Sequence, residues 1–130
     1  RPKQFCGHNI KEFDIPYICR RALIKQVSLP QVLVELQSKK PWEIPLLDTL
    51  QLWKFGDYKH YTSLDLMAAV LNIETPKSDI SGADVARVFY EEKDLERIKN
   101  YCEKDVLTTV QVYRRLNQKE ILSSTAVEFI

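Results

Sequence analysis

The chain has 130 residues, 45% of them apolar, enough to fill the core of one domain, and its 19 Lys plus Arg against 18 Asp plus Glu leave a net charge of +1 with no overall pull toward nucleic acid, membrane or an acidic partner. Only three glycines are present, Gly7, Gly56 and Gly82, which excludes the Gly-rich phosphate cradles of nucleotide-binding loops. Cys6, Cys19 and Cys102 form no C-x-x-C pair and are odd in number, against a disulfide framework or zinc site and in favour of a reducing, cytoplasmic compartment; no apolar run is long enough to span a bilayer, and the start lacks a signal peptide's apolar segment.

In chain order, Lys3 to Gly7 reads as a short strand ending at a glycine, with His8 and Asn9 just beyond it. A helix is expected from Asp14, since Asp is a good N-cap and Pro16 is tolerated in a first turn; Ile15, Ile18, Cys19, Ala22 and Leu23 would form its apolar face and Arg20, Arg21 and Lys25 its solvated one. Leu29-Pro30 breaks the chain before a short helix over Gln31 to Gln37. Ile44 to Leu47 reads as a second strand ending at Asp48-Thr49, followed by a helical turn closed by Gly56. Thr62-Ser63-Leu64-Asp65 resembles a capping box, with Asp in the usual Glu position, opening a helix through Leu66, Ala69, Val70 and Leu71. After a polar loop with Pro76, Lys77 and Asp79, a helix carries Val85, Val88 and Phe89. The longest helix is expected from Asp94 to Leu116, with Leu95, Ile98, Cys102, Val106 or Leu107, Val110 and Tyr113 near helical spacing. No repeat or linker is visible, so residues 1–130 read as a single domain. Two strands are few for a sheet, so the chain is either nearly all helical or short of strands that lie before residue 1.

Two patterns could carry chemistry. His8-Asn9 followed by Phe13-Asp14 sits where a strand passes into a helix, at the rim of a sheet, where ligand crevices open; Asp14 could equally cap its helix, with Phe13 as a hydrophobic staple. Tyr101-x-x-x-Asp105 puts a phenol and a carboxylate on one face of the long helix. That spacing recurs at Tyr61/Asp65 and Tyr90/Asp94, where a cap explains the acid. Asp105 instead falls in mid-helix on the stripe of Ile98, Cys102, Thr109 and Leu116, where a carboxylate is costly without a partner.

The run G-H-N-I-K-E-F-D-I-P-Y-I, residues 7 to 18, resembles the second motif of DnaQ-like 3′-5′ exonucleases of the DEDDy type, and Y-C-E-K-D-V, residues 101 to 106, resembles their third. L-D-T-L-Q-L-W-K-F-G-D, S-L-D-L-M-A-A-V-L-N-I and P-K-S-D-I-S-G are similar to the bacterial predicted exonucleases related to the proofreading domain of family B DNA polymerases. The resemblance runs from Phe5 to Leu116. It implies an α/β, ribonuclease-H-like fold and phosphodiester hydrolysis at the 3′ ends of single-stranded or frayed DNA, with RNA not set apart, by two divalent ions, Mg²⁺ or Mn²⁺. By the same resemblance Asp14 would hold the second metal and Asp105 the nucleophile-side metal. Tyr101 would orient the attacking water, and Asn9 would contact the terminal nucleotide. His8 is as well suited to packing. Phe13 and Lys77 join the substrate-binding set, Lys77 as a loop cation that could reach a phosphate or simply face solvent. Trp42 and Trp53 fit packing better than base stacking, and Arg20, Arg21, Lys25, Lys39 and Lys40 could line a backbone groove or a solvated face.

The family's first motif, D-x-E on a central strand, has no counterpart in the chain. Asp94-Leu95-Glu96 is the one D-x-E present, and on a helix its two acids diverge by about 200° where a strand would align them. The expectation is that the missing pair lies upstream of Arg1, that residues 1–130 form the carboxy-terminal part of the domain, and that the isolated chain binds Mg²⁺ weakly and is inactive alone. The alternative is a non-catalytic nucleic-acid-binding or interaction module that keeps the fold. A helical bundle with no nucleic-acid role is a third reading.

Overall fold

The computed structural model describes residues 4–57 and 59–128, so Lys3 of the expected first strand lies outside the described residues. The chain divides into two compact units, Arg1–Tyr58 and Lys59–Ile130.

In the first unit, β1 (Phe5–Gly7) pairs in parallel with β2 (Leu46–Asp48), Phe5 opposite Leu46 and Gly7 opposite Asp48. Parallel strands need a crossover, supplied here by α1 (Asp14–Ile24) and α2 (Gln31–Val34), the latter tightening into a 3₁₀ turn over Glu35–Ser38. Ile15, Leu33 and Leu46 are buried together, with Phe5, Ile10, Cys19, Leu29 and Leu36 packed around them. The inward face of α1 is narrower than its sequence suggests. Ile18 and Leu23 are 50% and 57% exposed, because a two-stranded sheet and one short helix cover only the stripe of Ile15, Cys19 and Ala22. Beside that stripe, Cys19, Leu29, Leu33 and Ile44 line an open apolar cavity of about 670 Å³. β2 runs directly into α3 (Thr49–Lys54), which ends on Phe55 at φ 45° and Gly56 at φ 90°, the left-handed stop expected at a helix C-terminus.

In the second unit, α4 (Leu64–Val70) is capped by Ser63, whose hydroxyl accepts from the Leu66 N–H at 3.2 Å. The cap thus sits one residue later than the expected Thr62, and Asp65 falls at the second helical position, out of place for a capping box. The buried face is that of Met67 and Ala68, both fully buried, whereas Leu66 and Val70 are 54% and 56% exposed. A 3₁₀ turn at Gly82–Asp84 leads into α5 (Val85–Arg87) and a π-helical turn over Val88–Glu92, which buries Val88 and leaves Phe89 exposed. Asp94 then caps α6 (Leu95–Leu116) through the Arg97 N–H at 3.0 Å, so the first acid of the only D-x-E is consumed by helix capping.

The inward face of α6 is not the apolar stripe read from spacing. Leu95, Val106 and Val110 are exposed, and the buried residues are Thr108, Gln111 and Val112. Two of these are polar and carry their own partners: Thr108 Oγ1 donates to the Lys104 carbonyl, and the Gln111 amide exchanges two hydrogen bonds with the Leu122 backbone. Asp105 and Tyr101 lie on the half-buried side of this same face. The fold is therefore mixed α/β and mostly helical, and among the described residues no helix is long and apolar enough to cross a membrane.

Candidate active site

In the first unit the loop between β1 and α1 is built on Asp48. This carboxylate is 2% exposed and accepts three backbone N–H groups: Asn9 at 2.9 Å and Leu50 at 3.0 Å on Oδ1, and Lys11 at 3.0 Å on Oδ2. The Leu50 bond caps α3; the other two reach across the sheet and fold residues 9–11 onto the end of β2. Asn9 accordingly takes a left-handed turn, φ 59°, which asparagine tolerates better than most residues. Its Oδ1 is buried with no hydrogen-bond partner among the described residues. Thr49 Oγ1 donates to the Gly7 carbonyl at 3.3 Å and lies 2.9 Å from His8 Nδ1, so this order of bonds places the imidazole proton on Nδ1 and ties His8 to α3. Gly7 is required here, because a Cβ on it would fall 2.8 Å from the Ile10 side chain.

α1 leaves this loop through Phe13, whose N–H bonds to the Asn9 carbonyl at 3.0 Å and whose side chain caps nothing. Asp14 is therefore the first helical residue rather than the N-cap, and its exposed carboxylate has no hydrogen bond or ion pair among the described residues. Nor is Phe13 a staple: it is 62% exposed and stacks on Tyr17 with ring centroids 6.1 Å apart. Both structural readings of the Phe13-Asp14 pair thus give way to exposed side chains.

The second unit brings together Tyr101, Asp105 and Asp65. The Tyr101 phenol lies close enough to the Asp105 carboxylate to favour its ionised form as a donor, and Asp65 is close enough to act electrostatically on both. Burial, reinforced by the Asp65 charge, pushes the Asp105 carboxyl above the usual carboxylate range against the pull of the phenol. Burial and the Asp105 charge push the Tyr101 phenol up to about 12. The partner that a half-buried Asp105 requires is thus a neutral donor. No Lys or Arg neutralises it among the described residues, and neighbouring Lys104 turns away to donate from Nζ to the Lys77 carbonyl at 2.6 Å. That bond fastens the Lys77 backbone to α6 and leaves the Lys77 side chain exposed. Gly82 lies beside the phenol: a Cβ there would stand 3.5 Å from the Tyr101 oxygen, an ordinary van der Waals contact.

Asp48, Thr49 and Asp65 were not singled out by sequence. The Asp48-Thr49 step at a strand end does signal a helix cap, but its second role needs the register that sets Gly7 opposite Asp48. Carboxylate oxygens are hard donors of the kind Mg²⁺ and Mn²⁺ accept. Among the described residues, however, no three His, Cys, Asp or Glu side chains are grouped to hold an ion.

Comparison with protein families puts the chain among the nucleases. Residues 1–126 match the family described as a predicted 3′-5′ exonuclease related to the exonuclease domain of PolB, and the chain belongs to that family. No curated protein and no solved structure matches it.

Proposed function

We propose that the protein hydrolyses the terminal phosphodiester at the 3′ end of single-stranded DNA, in a ribonuclease-H-like DEDDy site with Asp14, Tyr101 and Asp105 as its catalytic residues. What supports this best is the Tyr101–Asp105 pair: a half-buried carboxylate held by a phenol and left without a neutralising cation, in a chain of an exonuclease family. Asp14 and Asp105 would hold the divalent ions, whose contribution when bound is to activate water and to stabilise the leaving 3′ oxygen. Asp65, charged and next to Asp105, would add to the field that favours a cation there.

The chain's own residues bind and orient. A phenol with a pKa of about 12 is protonated throughout the neutral range, so Tyr101 would give its one O–H to Asp105 and accept with its oxygen from the attacking water, positioning the water without taking its proton. Half-buried Asn9 would contact the terminal nucleotide, whose base would stack on exposed Phe13. His8 serves by holding this loop to Thr49, and Lys77 offers its ammonium to a phosphate.

The test is a 5′-labelled single strand incubated with the full-length protein and Mg²⁺ or Mn²⁺. The expected product is a ladder shortened one nucleotide at a time from the 3′ end; internal cuts, or an intact strand, would remove the proposal. Tyr101→Phe should lower kcat about 10- to 100-fold with little change in KM. Activity needs ionised Asp105 and is lost as pH falls through its raised pKa. Because the phenol's hydrogen bond holds that pKa down, Tyr101→Phe should also move the acid limb of the rate profile to higher pH.

A further inference from the structure

Phe13, the residue that precedes α1, and positions 17, 20, 21 and 24 of α1 follow one another at helical spacing and make one exposed stripe. The Phe13 and Tyr17 rings are nearly parallel, 16° apart, and 62% and 59% exposed, and Ile24 at the far end is 71% exposed. With Arg20 and Arg21 they line a shallow groove of about 300 Å³. Neither guanidinium pairs with a carboxylate among the described residues, and the one acid in the groove, Glu12, accepts instead from Gln51 Nε2 at 3.0 Å. The stripe therefore offers two aromatic faces followed, one turn on, by two cations free of internal partners. Aromatic faces that stack bases, interleaved with cations that meet phosphates, are the two components of sequence-tolerant single-strand binding. The charge favours a polyanion over a protein helix, which would have to bury two unpaired guanidinium groups.

We propose that Tyr17, Arg20 and Arg21 form a strand-binding track that extends beyond Phe13 and carries the nucleotides 5′ of the terminal one. The assignment rests on the exonuclease reading for its polarity, but strand binding can be measured without cleavage.

The experiment is fluorescence anisotropy of a labelled oligothymidylate of about twelve nucleotides, within the span such grooves occupy, titrated with the full-length protein in EDTA over a range of salt concentrations. Tyr17→Ala should weaken binding about 5- to 150-fold, the equivalent of one lost base stack, while Tyr17→Phe, which keeps the ring, should bind as the wild type does. The double variant Arg20→Gln/Arg21→Gln should reduce the slope of log affinity against log salt by about 1.4, and lysine at both positions should restore it. All these side chains are exposed, so the variants should melt as the wild type does. Unchanged affinity and slope in the alanine and glutamine variants would overturn the track, as would variants that alter the sedimentation of the protein and leave oligonucleotide binding intact. Cleavage with variant binding unchanged removes the track and keeps the exonuclease reading; strand binding that depends on the stripe, without cleavage, does the reverse.

Discussion

Asp105→Asn is expected to reduce release of mononucleotides from the 3′ end by at least about 10³-fold and at the same time to make the protein more stable. The two effects have one cause. Burial and the Asp65 charge raise the Asp105 pKa in the folded chain, so ionising Asp105 costs more in the folded than in the unfolded state. The stability this group contributes is fully present below its unfolded pKa, where it is protonated in both states, and is lost as pH rises through the raised folded value. Asparagine keeps an oxygen to accept from Tyr101 and carries no charge, so the stability difference between Asp105→Asn and wild type should be small in acid and grow toward neutral pH. Denaturant unfolding at a series of pH values measures this. A variant that is less stable than wild type at pH 7, or whose advantage shrinks as pH rises, would show that Asp105 is a structural acid whose charge the fold needs. A functional carboxylate held at a cost to stability is the opposite case.

The second large effect falls on Asp48. Asp48→Ala leaves the Asn9, Lys11 and Leu50 N–H groups without their acceptor in a place closed to water, and should cost about 3–5 kcal/mol. Asp48→Asn separates the two oxygens. The amide oxygen can keep Oδ1's bonds to Asn9 and Leu50, while the NH₂ group that replaces Oδ2 faces the Lys11 N–H donor to donor. The expected cost is about 1–3 kcal/mol. In amide hydrogen exchange of Asp48→Asn, Lys11 should lose protection while Asn9 and Leu50 keep theirs; equal loss at all three would mean that the loop depends on the negative charge and not on the individual bonds. Since the same loop presents Asn9 and leads into Asp14, Asp48→Asn should also lower kcat.

What sequence made legible divides along the range of the interactions. Local signals were dependable: the strand ending at Gly7, the short helix after Pro30, the left-handed stop at Phe55-Gly56 and the Asp94 cap of α6 all depend on a few neighbouring residues. Inward faces were less so. α1 buries a narrower stripe than its apolar spacing suggests, and α6 buries Thr108 and Gln111, because each face is set by the elements that pack on it. Asp14 and Asp105 stood out through motif order, yet their physical circumstances did not. The sequence could not say that Asp14 begins α1 without capping it, that the partner of Asp105 is Tyr101, or that Asp65 belongs with them. Asp48 was hidden for the same reason: its bonds to residues 9 and 11 span about forty positions and exist only once β1 and β2 are in register.

The proposed reaction requires Asp14 and Asp105 to serve one reaction centre. A double-mutant cycle on the rate of mononucleotide release from the 3′ end measures that directly, with Asp14→Asn, Asp105→Asn and the pair compared in the full-length protein under saturating Mn²⁺. The account predicts that either single change removes nearly all of the rate and that the double variant is no slower than the worse single one. A wild-type rate in either single variant, or losses that multiply in the double one, would contradict it.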